Sequence, residues 1–240
     1  MSAAHEDMIV LVDRRQRRIV RLHGWAACRL SLVVNDCCER VGFGEKTPAF
    51  AWCMRIVLVG PLCSGKSTLA LRLSAELGLP CIEMDDLIWR PNWQRLDKDD
   101  LQQFRVLCSK ATADRAWVCA GAWQAGKDIV FSRADTIVSI DLGLWHVFYR
   151  MVLRTLWRIW SGEAVCNGNR ETLLSTLFGR QSILRYFWKQ WPRRRNHAEK
   201  LRHLEGLQMQ APRAQLLYFS TSGQVEAWVA QITSTRPGSA

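Results

Sequence analysis

The sequence lacks an uninterrupted apolar run of the ~18 to 20 residues that a helix needs to span a bilayer, which argues against an integral helical membrane protein. It also lacks a hydrophobic stretch behind a basic start, the pattern of a secretory signal peptide. Its nine cysteines are odd in number and scattered rather than grouped in CxxC pairs, so neither a disulfide framework nor a zinc site is predicted. Reduced thiols in a cytoplasmic protein are the resulting interpretation.

Acidic residues are also scarce, with 22 Asp and Glu against 33 Lys and Arg in 240 residues, a net charge of +11. Residues 145–203 hold twelve Lys and Arg but three Asp and Glu. Such a basic segment indicates an anionic partner, either nucleotide phosphates or nucleic acid. It opens on WHVFYRMVLRTLWRIW, where His146, Arg150, Arg154 and Arg158 share one face of a predicted helix. Taken alone, this helix could lie on a membrane, bind nucleic acid or direct cations at a phosphate.

From residue 54 onward, strand and helix patterns alternate, which is typical of a parallel sheet with helices on both faces. The predicted strands are 55–59, 79–83, 117–120, 136–141 and 215–219. The predicted helices are 66–77, 101–113, 144–160, 173–205 and 224–232. Residues 1–53 show two strand-like runs, MIVLVD and RLSLVV, but no sustained period. They are interpreted as a poorly structured extension or an over-long start before a domain at 54–233, with a disordered tail at 234–240.

The first strand of that domain leads into GPLCSGKST, which fits G-x-x-x-x-G-K-[ST] between a strand and a helix. Gly60 and Gly65 allow the tight turns that aim backbone N–H groups at phosphate oxygens. Lys66 is expected to reach the β- and γ-phosphates, and the Ser67 hydroxyl to ligate Mg²⁺. The helix N-terminus adds its positive dipole end. The other predicted phosphate-binding residues are Pro61, Cys63, Ser64 and Thr68. This motif predicts binding of ATP or GTP.

Carboxylates follow two later strands. Asp85 and Asp86 come after the second strand, at the edge where open α/β sheets bind ligands. Asp85 is a candidate for orienting or deprotonating a phosphoryl acceptor, whereas Asp86 fits a helix cap better. Asp141 ends the fourth predicted strand and resembles a carboxylate that holds the magnesium shell. An aspartate in that position also commonly stabilises a turn through a hydrogen bond to the backbone.

Taken together, these stretches resemble the adenylate-kinase-like P-loop proteins of the DNA topology modulation protein (FlaR) family, over about residues 54–228. The specific marks are D-x-L-x-W-x-P-x-W, which starts at Asp85, and a third strand that begins with Trp117 and leads into Gly121. The resemblance implies a nucleoside/nucleotide-kinase fold with strand order 2-3-1-4-5, ATP or GTP with Mg²⁺, and a helical arginine-bearing lid at about 155–200. Family members usually carry Asp where this chain has Ala120, which puts a shared substrate in doubt.

With such a fold, the helix after the fourth strand leads into the lid, and catalysis depends on placing cations around the transferred phosphoryl group. Arg150 and Arg154 are therefore predicted to stabilise that charge, while Arg158 is left to the solvent and the apolar residues around them pack on the sheet. The leading hypothesis is a kinase that transfers the γ-phosphoryl group to a nucleotide, nucleoside or other small acceptor. The alternative is a nucleotide-dependent nucleic-acid-binding or regulatory protein that uses the basic, tryptophan-bearing residues 188–203. No membrane partner is predicted.

Overall fold

A computed structural model describes residues 8–13, 18–23, 54–171 and 197–234. The strands are β1 (Met8–Asp13), β2 (Arg18–His23), β3 (Arg55–Val59), β4 (Cys81–Glu83), β5 (Trp89–Arg90), β6 (Gln94–Arg95), β7 (Trp117–Ala120), β8 (Thr136–Ile140), β9 (Ala164–Val165), β10 (Asn169–Arg170) and β11 (Gln215–Phe219). The helices are α1 (Lys66–Leu77), α2 (Met84–Ile88), α3 (Leu96–Asp99), α4 (Leu101–Ala111), α5 (Lys127–Arg133), α6 (Leu144–Ser161), α7 (His197–Gln210) and α8 (Ser222–Ser234). Within these ranges, no helix is both long enough and apolar enough to cross a membrane.

Seven strands form one sheet in the order β2-β1-β11-β8-β3-β7-β4. Strands β4, β7, β3, β8 and β11 run parallel, and numbered among themselves along the chain they follow the order 2-3-1-4-5. This confirms the predicted α/β fold class and its strand order. Because β3 lies in the middle, the loop that follows it emerges at the centre of the carboxyl edge, next to the ends of β7 and β8.

Side chains alternate across the central strands and so supply two cores. Val57 and Val59 of β3 pack with Phe104, Phe131 and Leu207 on one face, which α4, α5 and α7 cover. Ile56 and Leu58 face the other way, toward the core that α1, α6 and α8 cover. Helices therefore cover both faces of the parallel sheet, as the alternating pattern predicted.

Several boundaries differ from those predicted. The second strand begins at Cys81 rather than at residue 79, and α4 ends at Ala111 rather than at 113. The helix predicted at 173–205 is described only as α7, which runs on to Gln210, and residues 172–196 lie outside the described ranges. Helix α5 was not predicted, because its seven residues are too short to show a clear helical period.

Near the N-terminus, β1 and β2 form an antiparallel hairpin, and β1 continues the sheet along the outer edge of β11, with Val10 opposite Tyr218. The run MIVLVD is thus a strand, whereas RLSLVV lies outside the described residues. That residues 1–53 are an extension or over-long start stays a prediction.

Removing residues 1–53 is expected to leave nucleotide binding unchanged, because the hairpin joins the sheet at β11 whereas the P-loop follows the central β3. We expect the chain that starts at Met54 to bind ATP with the same Kd in calorimetry. Its Tm should fall by only a few degrees, since the removed hairpin pairs with β11 along one outer edge of the sheet. A chain starting at Met54 that does not fold would show that the hairpin is integral to the domain.

Candidate active site

The loop that fits the P-loop motif connects β3 to α1. Gly65 has a φ of 94°, in the left-handed region that glycine adopts without strain. At Gly60 the constraint is space, because a Cβ there would lie 2.4 Å from the carbonyl oxygen of Ile140. The buried Ser64 donates its backbone N–H to the carbonyl oxygen of Pro61 at 3.3 Å. Both motif glycines therefore meet a requirement of the observed loop.

Lys66 begins α1, and its side chain turns back over the loop. Its Nζ donates to the carbonyl oxygens of Pro61 at 2.7 Å and Gly60 at 3.2 Å. Burial lowers the pKa of this ammonium, while the nearby Asp85 carboxylate opposes that effect. The cation thus lies inside the loop and within electrostatic reach of the predicted acceptor-orienting aspartate.

Helix α6 buries only a narrow face, where Val147, Met151 and Thr155 repeat at every fourth residue. Arg150 and Arg154 each precede a member of this row, so they lie at the border of the buried face. The prediction that the apolar residues of this helix pack on the sheet holds for part of them, since Val147 and Met151 lie in the core and Leu144 and Phe148 pack against it. The other large hydrophobic side chains of the helix are exposed: Trp145, Tyr149, Leu153, Leu156, Trp157 and Trp160.

Arg150 contacts the phosphate-binding loop, and Arg154 lies within electrostatic range of it. A Cβ at Gly65 would lie 3.6 Å from Nη1 of Arg150, so this guanidinium packs directly over the glycine. At Cys63, burial raises the pKa and the nearby Arg154 opposes that effect. At Lys66, burial lowers the pKa and Arg154 adds to that effect. The Nε of Arg154 is buried without a hydrogen-bond partner. Such guanidinium groups bind phosphate oxygens in a bidentate way.

Arg158, one turn further along α6, is not left to the solvent, so that prediction is wrong. Its Nη1 donates to Oε1 of Glu171 at 2.9 Å, and the side chain of Glu171 is only 6% exposed. Glu163 lies 3.9 Å from its Nε. Since an unpaired buried carboxylate is costly, this arginine has a structural task beside the site.

Ser67, the predicted magnesium ligand, lies near the carboxylate of Glu83 at the end of β4. Burial raises the pKa of Glu83 to about 7, although the neighbouring Ser67 hydroxyl acts in the opposite direction. Among the described residues no group of three or more His, Cys, Asp or Glu is placed to hold a metal. Mg²⁺ in phosphoryl-transfer sites commonly uses one or two protein oxygens together with substrate phosphates, and this hydroxyl–carboxylate pair fits that need. Glu83 is therefore a candidate that the sequence analysis missed.

Replacing Glu83 with glutamine is expected to raise the Mg²⁺ concentration for half-maximal ATP turnover about 10- to 100-fold, the usual range for a lost ligand partner. Manganese binding to the ATP complex, followed by electron paramagnetic resonance, should weaken in parallel. Asp86→Asn is the matched control, because it removes a neighbouring exposed carboxylate from the same turn. Equal weakening in both variants would contradict a specific role for Glu83.

Asp141 lies on the other side of the loop, in a cavity of ≈ 560 Å³ whose walls include Gly60, Lys127 and His203. Its Oδ2 accepts a hydrogen bond from the Tyr218 hydroxyl at 3.0 Å. Burial and Lys127 lower the pKa of His203, and Asp141 opposes them. The magnesium role of Asp141 stays a prediction, and the carboxylate whose pKa the P-loop serine influences is that of Glu83.

Asp85 lies beside a cluster of three indoles, those of Trp89, Trp93 and Trp123, which we call the tryptophan wall. Its Oδ1 accepts a hydrogen bond from Nε1 of Trp123 at 2.9 Å. The ring of Trp89 makes edge-to-face contacts with Trp123 and Trp93, with centroids 5.9 Å and 5.4 Å apart. All three indoles are only partly buried, so part of each remains accessible. Two members of this wall belong to the D-x-L-x-W-x-P-x-W motif, while the contribution of Trp123 could not be read from its spacing.

A small hairpin formed by β9 and β10 holds the wall from outside. Nδ2 of Asn167 donates to the carbonyl oxygens of Asp86 and Trp89 at 2.8 Å and 2.7 Å. Asn169 accepts from the backbone N–H of Trp93 at 2.8 Å. The hairpin thus links the end of α6 to the turn that carries Asp85. The hairpin falls within the predicted lid, but residues 172–196 of that lid lie outside the described ranges. Most of the predicted nucleic-acid segment, with Trp188 and Trp191, lies outside them as well.

No family model matches the chain, and no curated protein matches it. Solved structures that resemble it include a shikimate kinase from Acinetobacter baumannii in complex with shikimate (17% identity, 78% of this chain and 96% of that one, TM-score 0.43). Others are a shikimate kinase from Bacteroides thetaiotaomicron (15%, 75% and 97%, TM-score 0.41) and a gluconokinase from Sinorhizobium meliloti 1021 (23%, 44% and 67%, TM-score 0.33). TM-scores below 0.5 carry no argument about function, and the likeness to the FlaR family stays a prediction.

Proposed function

We propose that the chain is a Mg²⁺-dependent P-loop kinase that transfers the γ-phosphoryl group of ATP or GTP to a small acceptor. One observation carries the proposal: the guanidinium of Arg150 packs over Gly65, in the loop that also holds the Lys66 ammonium. A loop that only binds nucleotide needs its backbone and its lysine. Arginines directed onto the same loop from another helix fit the further need to stabilise charge on a phosphoryl group in transit.

Each remaining part has a matching role. Ser67 and Glu83 would hold Mg²⁺, which supplies charge neutralisation on the β- and γ-phosphates. Asp85 is within electrostatic reach of Lys66 and faces the tryptophan wall, so its carboxylate would orient the acceptor hydroxyl and take its proton. Arg154, whose buried Nε has no partner, would bind the transferring group alongside Arg150.

The test is transfer of label from ATP carrying a radioactive γ-phosphate. The protein is incubated with Mg²⁺ and a broad panel of nucleosides, nucleotides, sugars and small alcohols, and the products are separated by thin-layer chromatography. We expect at least one labelled organic product whose formation depends on Mg²⁺ and on Lys66. Release of inorganic phosphate alone, with every member of the panel, would contradict the proposal. Residues 188–196, on which the nucleic-acid alternative mainly depends, lie outside the described ranges, and no described contact favours that alternative.

A further inference from the structure

The carboxylate of Asp85 is held by a contact from a distant part of the chain. Its Oδ1 accepts a hydrogen bond at 2.9 Å from Nε1 of Trp123, which lies in the loop after β7. An aspartate side chain otherwise changes the direction of its carboxylate easily, because its second torsion angle has a broad range. Since the indole binds Oδ1, the other oxygen, Oδ2, is the one that would meet an acceptor hydroxyl. Trp123 therefore sets the direction in which Asp85 faces the site.

The indole of Trp123 is itself packed against a cation. The guanidinium carbon of Arg95 lies 4.8 Å from the centroid of the Trp123 ring, within the range of a cation–π contact. Arg95 ends β6, and the register of the β5–β6 pair sets it opposite Trp89, whose ring also contacts Trp123. One short hairpin thus supplies both the cation and an aromatic neighbour to this indole.

Arg95 has a fixed place in turn, because Asp97 binds its guanidinium at two points. Nε and Nη2 of Arg95 donate to Oδ1 and Oδ2 of Asp97 at 2.9 Å and 2.7 Å. The side chain of Asp97 is only 7% exposed, so this ion pair is better shielded than a pair on the open surface. A two-point contact of this kind also restricts the plane of the guanidinium. The contacts form a chain that runs from Asp97 through Arg95 and Trp123 to Asp85.

The cation does more than hold the ring in place. It draws electron density from the indole, which makes the Nε1 proton more positive and strengthens the hydrogen bond that this proton donates. Contacts coupled in this way reinforce one another inside a protein, where the local dielectric constant is low. A carboxylate that is already aligned with the acceptor hydroxyl also has less freedom to lose in the transition state. The chain of contacts therefore favours a carboxylate held ready for reaction.

We infer that Trp123 and Arg95 are positioning residues, which hold the carboxylate of Asp85 so that its Oδ2 faces the acceptor hydroxyl. The inference rests on the proposed kinase function. In that reaction the acceptor oxygen bonds to the γ-phosphorus of ATP, and the bond from this phosphorus to the β–γ bridging oxygen breaks. ADP leaves with the electron pair of the broken bond, and Asp85 takes the proton of the hydroxyl. Trp123 and Arg95 act through Asp85 rather than on the reacting atoms.

The first test is Trp123→Phe, which removes the indole N–H but keeps an aromatic ring. With the compound of the labelling panel that is phosphorylated fastest, we expect kcat to fall about 10- to 100-fold, as for a misplaced catalytic group. KM for that compound and the Kd for ATP should stay the same. Trp89→Phe makes the same change in the same wall and should cost far less. Equal losses of kcat, or a Trp123→Phe effect confined to KM, would overturn the inference in favour of simple packing.

Two double variants test whether these residues act through one another. Asp85→Asn should lower kcat by itself, and adding Trp123→Phe to it should change kcat by no more than about twofold. Arg95→Met alone should lower kcat about 3- to 10-fold, the range of a cation–π contact, and should have no further effect once Trp123→Phe has removed the N–H. A full Arg95→Met effect in the Trp123→Phe protein would overturn the chain of contacts, because the guanidinium would then act without the indole.

A measurement on the protein without any acceptor tests the same chain. After labelling with ¹⁵N-tryptophan, the indole N–H signal that is lost in Trp123→Phe identifies this residue in the NMR spectrum. We expect the signal to move upfield in Asp85→Asn and less far in Arg95→Met, because a neutral or less polarised pair forms a weaker hydrogen bond. Arg55→Met is the control, since it breaks a similar two-point pair with Asp135, at 3.0 Å for each bond, at the start of β3. A signal that stays in place in both test variants would contradict the inference.

These outcomes separate the inference from the proposed function. If a compound is phosphorylated but Trp123→Phe behaves as Trp89→Phe does, the kinase proposal stands and the positioning role is wrong. If the unmodified protein phosphorylates no compound of the panel, both are wrong.

Discussion

Replacing Lys66 with methionine is expected to lower phosphoryl transfer by about 10²- to 10³-fold, the range seen when a preorganised donor to transition-state charge is removed. Methionine occupies similar space, so the loss reports the ammonium rather than a cavity in the loop. Lys66 is well placed for this effect, because its Nζ lies 2.7 Å and 3.2 Å from two loop carbonyl oxygens. The measurement is kcat with the preferred acceptor at saturating ATP, together with the Kd for ATP.

Lys110→Met serves as the control, since this exposed lysine lies in the last turn of α4, away from the P-loop. We expect its kcat to equal that of the unmodified protein. Both variants should keep the original Tm within a few degrees, because neither side chain packs in a core. Retention of full transfer by Lys66→Met would remove the P-loop lysine from the mechanism and with it the main support for a kinase.

The sequence was sufficient for the parts of the fold that depend on long, repeating patterns. RIVLV at β3, TIVSI at β8 and QLLYF at β11 are apolar runs of strand length, and the structure has each of them as a strand. The order of the strands came from the family resemblance, since no local pattern states which strands are neighbours. Short elements such as α5 could not be predicted in the same way, because seven residues span barely two helical turns.

Site residues could be assigned from the sequence where the chemistry is written in consecutive residues. The phosphate-binding motif is contiguous, so tasks could be assigned to Gly60, Gly65 and Lys66. The structure shows that the loop requires both glycines, while their phosphate-binding roles stay predictions. Contacts between distant segments could not be predicted: Trp123 holds Asp85 from 38 positions away. Glu83 was missed for a different reason. A carboxylate at the end of a strand is equally typical of a turn, until the fold places the P-loop serine near it. Arg158 shows the opposite error. Its place on the helix predicted a solvent-exposed side chain, but it pairs with Glu171, which lies outside that helix.

Arg150 should matter at least as much as the lysine. We expect Arg150→Ala to lower kcat by about 10³-fold, the lower end of the effect of an arginine that stabilises transferring charge, while the Kd for ATP rises much less. The reason is position: its guanidinium packs over Gly65, and transition-state charge is concentrated on the phosphoryl group above that loop. Arg150→Lys should recover only part of the rate, because an ammonium does not reproduce the planar bidentate fork.

Arg154 and Arg72 provide two comparisons for the Arg150 prediction. Arg154→Ala should cause a smaller loss of kcat, which adds to that of Arg150→Ala if the two arginines bind separate oxygens. A double variant that is no slower than Arg150→Ala alone would show that both arginines act on one phosphoryl group. Arg72→Ala is the matched control, since this arginine lies on α1 itself but forms ion pairs with Glu76 at 2.7 Å and Glu226 at 2.5 Å. An equal loss of kcat in Arg72→Ala and Arg150→Ala would mean that general surface charge, rather than a directed guanidinium, supports the reaction. An effect confined to Arg150 and Arg154 would instead tie the basic face of α6 to phosphoryl transfer, since the guanidinium of Arg150 packs over Gly65 and Arg154 lies within electrostatic range of the same loop.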